Sequence, residues 1–337
     1  MRLITRPALR RIALLFVLLI LIVWWCWWSM VRMPLKSFRE PLPALNAGQT
    51  ALCDELRGHV TKLAGEIGER NAGYRPRSLD AAADYVQSML VKSGLEVERQ
   101  TFEAAGKHCH NLVAEVRGRN QPDQIVVVGA HYDSVVGSPG ADDNASGVAA
   151  LLALARWEEL KQPARTLRYV AFANEEPPFF QTAQMGGLVY ARRCRERDEN
   201  VVAMLSLESL GYYDPSEGSQ KYPLPLGLFY PSRGDFVAFV GRSSDRALVR
   251  RCVKLFRESA QFPSEGGALP GALPGIGWSD HWAFWQADYP ALMATDTAPF
   301  RSPHYHATED TPDKLDYERF ARVVEGLGKV IADLAAH

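Results

Sequence analysis

The chain has 337 residues, 47% hydrophobic and 23% charged, with 38 Lys+Arg against 39 Asp+Glu and a formal net charge of -1. This is an ordinary globular balance, enough for one large α/β domain or two small ones. It leaves no electrostatic footprint for a nucleic-acid partner, and none is expected.

Residues 1–11 read as a short basic tail with Arg2, Arg6, Arg10 and Arg11. Ile12 to Met30 carries no charge. At ~1.5 Å per residue it crosses ~30 Å of hydrocarbon. Trp24, Trp25, Trp27 and Trp28 gather at its C-terminal end, where indoles favour the membrane interface. The competing reading is a cleaved signal peptide. The apolar run is long for one, and no small-x-small cleavage site follows. We therefore expect an uncleaved single-pass anchor that contacts the lipid bilayer through residues 12–30. Arg32, Lys36 and Arg39 follow it. The basic bias is on the N-terminal side, which places the rest of the chain on the non-cytoplasmic face.

Residues 31–50 contain Pro34, Pro41 and Pro43 and read as a linker. Residues 51–337 are expected to form one domain. Ala51 to Glu69 has the spacing of an amphipathic helix. Ser78 reads as the N-cap of a second helix over Leu79 to Lys92. Strands are expected over Leu95–Phe102 and Asn111–Gly118. Five cysteines occur with no C-x-x-C pair, which argues against a zinc-thiolate site. Cys53, Cys109, Cys194 and Cys252 are either paired in an exported domain or small buried thiols.

The centre of the chain is His131 to Gly147, HYDSVVGSPGADDNASG. It follows Ile125-Val126-Val127-Val128-Gly129, a buried strand by its β-branched run, and precedes an apolar helix from Val148 to Ala155. Sites in open α/β sheets lie at such strand-to-helix loops. This one offers imidazole and carboxylate, the ligands of a zinc-type ion where no thiolate is present. Two further strands end in acids: Leu167–Ala173 runs into Asn174-Glu175-Glu176, and Val201–Leu207 into Glu208. Adjacent carboxylates at the end of a buried strand need protons or a cation. Successive strand residues point to opposite faces, so Glu175 and Glu176 should take different jobs. Helices are then expected over Gly187–Arg197 and Ala247–Ser259, with a short strand at Phe236–Val240 between them. Pro263 to Gly277 reads as an irregular glycine-proline loop. Ser279-Asp280-His281 should cap a short aromatic helix. A strand over Ala291–Ala294, a polar loop over Ser302–Thr311 and a helix over Tyr317–Ala335 complete the chain.

The segments GAHYDS (Gly129–Ser134), GADDNASG (Gly140–Gly147), NEE (Asn174–Glu176), SDH (Ser279–His281) and YHATEDT (Tyr305–Thr311) resemble the M28 zinc aminopeptidases. They fall in the family's order and together are strongly specific. The resemblance implies an α/β fold: a mixed, mostly parallel sheet of about eight strands between helix layers. It implies two zinc ions per chain and hydrolysis of N-terminal peptide bonds by a water bridging them. The metal ligands would be His131, Asp143, Glu176, Glu208 and His306, with Asp143 shared by both ions. Glu208 stands where most relatives have aspartate. Glu175 would be the general base, and Asp133 would bond the far nitrogen of His131. Asp142 would shape the loop. Asp280 and His304 would sit around the ions or touch substrate, as would Tyr305 and His281. Trp278, Trp282 and Trp285, with Phe179 and Phe180, read either as a side-chain pocket or as plain core. The substrate is then a peptide or protein N-terminus. Two other readings stand beside this one: a glutaminyl cyclase using one zinc, and a catalytically silent binding ectodomain.

Overall fold

The structure, a computed structural model, describes residues 5–336; Arg2 lies outside them. Eight strands are formed: β1 Val97–Ala104, β2 Lys107–Val116, β3 Gln121–His131, β4 Arg165–Phe172, β5 Asn200–Glu208, β6 Val237–Arg242, β7 Ser264–Leu269 and β8 Ala291–Thr295. The helices are α1 Arg6–Cys26, α2 Ala47–Val60, α3 Pro76–Lys92, α4 Gly147–Ala155, α5 Gly186–Glu196, α6 Arg246–Ser259, α7 His281–Gln286, α8 Ala298–Arg301 and α9 Tyr317–Ala336.

The strands make one sheet in the order β1-β2-β4-β3-β5-β8-β6-β7. β4, β3, β5 and β8 run parallel through the centre, and β6 pairs parallel with β7. The β1–β2, β2–β4 and β6–β8 pairs are antiparallel. Alternation along β3 divides the core between the two faces. Val126, Val128 and Ala130 pack with α2, α4 and α9. Ile125 and Val127 pack on the other face with α5 and α7. Because β4, β3 and β5 are parallel neighbours, their last residues emerge side by side at one edge. His131 pairs with Phe172 there, and Glu208 with Thr295.

The structure moves several expected boundaries. α2 starts at Ala47, within the expected linker, because Asn46 and Gln49 form a reciprocal capping box. The helix then opens into a wider turn over Thr61–Ile67 instead of continuing to Glu69. Residues 33–43 do not hang free either. Met33 is buried, Arg257 donates to the Pro34 and Leu35 carbonyls at 2.9 and 3.0 Å, and Ser264 N–H donates to Ser37 Oγ at 2.8 Å. α3 begins at Pro76 and not after Ser78. Proline at the first helical position needs no N–H partner and is already set at a helical φ.

The glycine-proline loop also contains a strand. β7 has no alternation to read, since Gly266 and Gly267 occupy its middle; its pairing with β6 makes it a strand. α7 has no side-chain cap. The Ser279 hydroxyl points to Ser206 and Glu208 at 2.7 Å each. The cysteines are unpaired, with Cys53, Cys109, Cys194 and Cys252 buried. Burial pushes the Cys194 and Cys252 thiols up to about 12.

Candidate metal centre and active site

β3 and β5 deliver their terminal residues, His131 and Glu208, to one point, and the turn after β4 brings Glu175 and Glu176 to it. His131 Nε2 lies 3.2 Å from Asp143 Oδ1, 3.3 Å from Glu208 Oε2 and 3.9 Å from Glu175 Oε2. His306 Nε2 lies 3.1 Å from Asp143 Oδ2 and 3.2 Å from Glu176 Oε2. Two ligand-type groups result, His131/Asp143/Glu208 and Asp143/Glu176/His306, with the ligand atoms of each group within 4.8 Å of one another. Asp143 belongs to both and turns one oxygen to each imidazole. The extra methylene of Glu208 does not displace it: its carboxylate is held by the hydroxyls of Ser209 (3.1 Å) and Ser279 (2.7 Å).

The chemistry of these donors fits metal. Asp143 Oδ1 and His306 Nε2 are buried atoms with no hydrogen-bond partner among the described residues. Buried polar atoms are rarely left so. Imidazole with carboxylate is a zinc-type donor set, and two ions close together need a shared anion such as Asp143.

The loop after β3 is shaped by close backbone approaches. Gly140 has φ +61°, and a Cβ there would lie 2.3 Å from the Asp143 carbonyl oxygen. A Cβ on Gly147 would lie 2.3 Å from the Leu207 carbonyl oxygen, so only glycine lets α4 start against the end of β5. Asn144 ties the same two segments, donating to Leu207 O at 2.8 Å and accepting from Ser209 N–H at 3.1 Å. Asp142 accepts from Gly211 N–H at 2.8 Å.

Asp133 faces His131 Nδ1 at 3.5 Å. Its two oxygens also accept the N–H groups of Glu175 (3.1 Å) and Glu176 (3.2 Å). One carboxylate therefore faces the imidazole and ties both glutamates through their N–H groups. These glutamates lie beyond the end of β4, so strand alternation is not what separates them. The turn at Asn174, with φ +59°, aims them instead. Asp280 is fully buried close to this cluster, and neither of its oxygens has a partner among the described residues. His304 joins neither group; its ring sits edge-on to Tyr212.

The charge balance is strained in a consistent direction. Burial raises the Glu175 carboxyl well above its usual range, and Glu208, Glu176 and Asp280 add to that. Burial lifts Glu176 to about 7, with Asp143 repelling it further. Burial alone would depress the His131 imidazole, but Glu208 and Glu175 raise it well above its ordinary value. His306 likewise rises to about 10 against its burial, through Asp143 and Glu176. The pocket therefore favours positive charge at its centre.

Three contributors carry no signal of this role in the sequence patterns above. Asp310 lies inside the YHATEDT segment and accepts the N–H groups of Asp142 (2.9 Å) and Asp143 (3.2 Å). Arg70 falls in a polar stretch that reads as a loop, yet it is fully buried behind the site. Ser279 reads only as a cap. The motif spacing could have pointed to Asp310; nothing in the sequence marks Arg70.

An apolar cleft adjoins the cluster through Glu208 and Tyr305. Of the aromatic residues expected to line a pocket, Trp278 does so, stacked on Phe300. Trp282, Trp285 and Phe179 pack in the core instead. The rest of the apolar lining comes from the 222–230 segment, β6, β7 and β8.

Residues 111–331 match the family model described as peptidase family M28. The chain belongs to peptidase family M28. As an M28 member it is a peptide hydrolase. It is 40% identical over 283 residues to the uncharacterized protein YfbL of Escherichia coli K12, covering 81% of this chain and 86% of that one. It is 27% identical to a probable zinc metalloprotease of Pyricularia oryzae, over 87% of this chain and 59% of that protein. The fold is that of BSAP, a zinc aminopeptidase from Bacillus subtilis, with TM-score 0.64 and 15% identity over 84% of this chain and 95% of that one. A glutaminyl cyclase from Fimbriiglobus ruber shares it as well, with TM-score 0.61 and 17% identity over 89% and 99%.

Proposed function

We propose that this M28 chain is a membrane-anchored aminopeptidase that uses two zinc ions to remove N-terminal residues from peptides. The observation that carries the reading is Asp143, with one oxygen toward His131 and the other toward His306. His131, Asp143 and Glu208 would hold one ion, and Asp143, Glu176 and His306 the other. Zinc held there supplies Lewis acidity and a water of lowered pKa.

The chain's own groups do the rest. Glu175 belongs to neither ligand group and is buried beside His131. It accepts the proton of the attacking water and returns it to the leaving amine. Asp133 keeps the His131 ring in the orientation that leaves Nε2 facing the centre. The N-terminal side chain occupies the apolar cleft. Of the four residues considered for contact with substrate, Tyr305 lines that cleft, with its ring stacked on His306. Burial keeps its hydroxyl protonated, so it can donate to the developing oxyanion. Tyr305→Phe should lower kcat by roughly 10²-fold and leave KM nearly unchanged. A purely structural Tyr305 would instead show as lost stability.

The anchor would be residues 12–30, which lie within Pro7–Val31, a helix among the described residues that is long and apolar enough to span a bilayer. The basic residues before it support an exported catalytic domain.

The test uses the full chain in detergent. Metal content is measured by mass spectrometry, and hydrolysis of a panel of aminoacyl-arylamides is followed with and without chelator. About two zinc ions and chelator-sensitive release from free-amine substrates are expected. One zinc ion with cyclisation of N-terminal glutamine would replace this reading with the cyclase. Glu208→Ala should reduce zinc from about two per chain toward one. Unchanged stoichiometry would remove Glu208 from the ligand set.

A further inference from the structure

The segment 222–230 has two faces with different partners. Tyr222, Pro223, Leu226 and Tyr230 line the apolar cleft. Leu224, Leu228 and Phe229 do not; they are 93%, 81% and 38% exposed. Large apolar side chains at this exposure, grouped at one loop tip, mark a surface that meets something other than water. What it meets is indicated by its neighbour. Phe229 and the α1 residues Leu19, Ile20, Val23, Trp24 and Trp27 line one apolar groove. The loop tip therefore stands beside the C-terminal part of the apolar helix.

The segment that follows that helix is held firmly to the domain. Met30 and Val31 pack on the core behind β7, Met33 is buried, and Arg250 donates to the Arg32 carbonyl. Arg257 holds the carbonyls of Pro34 and Leu35. The height of the loop tip along α1 is thus set by packing and not by a slack tether. Where the tryptophans of α1 lie at a lipid interface, the loop tip lies there too.

We propose that residues 224–229 form a second membrane contact, seated in the phospholipid interface beside the anchor. Their other face then sets the wall of the cleft against the bilayer surface. The site accordingly takes N-termini of chains held at that surface in preference to peptides free in solution. This rests on the reading of α1 as a membrane span and deepens the aminopeptidase reading. Insertion of a short apolar tip beside an existing anchor needs no further receptor, since burial of Leu and Phe in the interface is itself favourable.

The test uses the full chain in phosphatidylcholine vesicles, with a nitrobenzoxadiazole probe attached at one introduced cysteine. Leu228→Cys is compared with Val91→Cys, at the opposite edge of the sheet, each in a Cys26→Ser background. The native Cys26 is labelled separately to report on the anchor. Doxyl-labelled lipids should quench the probe at position 228 several-fold more than at position 91, with blue-shifted emission. Quenching at Cys26 with none at position 228 would overturn the loop contact while leaving the anchor intact. Absence of quenching at Cys26 would overturn the anchor reading and this proposal with it. In a second measurement, Leu224→Glu/Leu228→Glu should lower turnover of a lipid-tethered peptide in vesicles roughly tenfold. Hydrolysis of a soluble arylamide in detergent should be unchanged. Equal turnover of the tethered peptide by variant and parent would overturn the substrate preference.

Discussion

Glu175→Gln is expected to lower kcat by roughly 10³-fold, within the range that general acid–base catalysis supplies, while zinc content stays at the parent level. Glutamine preserves the volume and one oxygen of Glu175 but has no site for the transferred proton. Glu175 lies outside both ligand groups, so the substitution should spare the donors themselves. Its Oε2 is 3.9 Å from His131 Nε2, near enough to meet a water held between the imidazoles. Its burial, together with Glu208, Glu176 and Asp280, raises its proton affinity, which suits a group that must take a proton and give it back. Kinetics and metal content should be measured on one preparation. If the variant lost zinc in step with activity, Glu175 would be acting as a ligand. If turnover survived with zinc in place, the proton carrier would be another residue.

Arg70→Met should destabilise the fold by about 3–5 kcal/mol, the scale for uncovering a buried charged network. Arg70 is fully buried. Its guanidinium donates to the carbonyls of Tyr132 (2.7 Å), Gly68 (3.2 Å), Pro139 (2.5 Å) and Gly140 (2.9 Å). Three of these carbonyls, those of Tyr132, Pro139 and Gly140, belong to the loop that carries Asp142 and Asp143. Methionine would fill the volume and take the guanidinium donor from the Tyr132, Gly68 and Pro139 carbonyls, while Gly140 O keeps the Ala145 N–H at 3.1 Å. It would also remove the cation facing Asp133, Asp310, Asp143 and Glu176. Burial lowers the Arg70 pKa only to about 10, so the group is charged at neutral pH. Arg70→Lys keeps the charge but not the fork, and should recover part of the loss. Denaturant titrations of metal-free and zinc-loaded protein check this. The deficit should be larger without zinc, because Arg70 then shares the opposition to those carboxylates only with the protonated imidazoles of His131 and His306. Equal stability of parent and Arg70→Met would mean that water satisfies the carbonyls.

Much of the catalytic edge is legible in the amino-acid sequence. Ile125–His131, Leu167–Ala173 and Val201–Leu207 are β-branched or apolar runs that stop at polar residues. Their identity as buried parallel strands follows from local composition, and parallel neighbours must bring like ends together. His131, Asp143, Glu176, Glu208 and His306 are named as candidate ligands by the resemblance of their segments to the M28 zinc aminopeptidases, and imidazole and carboxylate are residue types that such a site needs. Contacts between segments far apart in the chain are not legible in this way. Gly266 and Gly267 carry no hydrophobic period, so β7 exists only through its pairing with β6. Arg70 looks like any loop arginine until Tyr132, Pro139 and Gly140 close around it. Trp278 lines the cleft while Trp282 and Trp285 enter the core, although the three share one short stretch. Residues 33–43 look like a linker, and their docking is decided by Arg257, Ser264 and Arg322. By itself the sequence determined the central strands and the order of the candidate donor segments, because local periodicity and motif are written residue by residue. The tertiary structure decided which surfaces those elements share, because burial and pairing depend on partners distant in the chain.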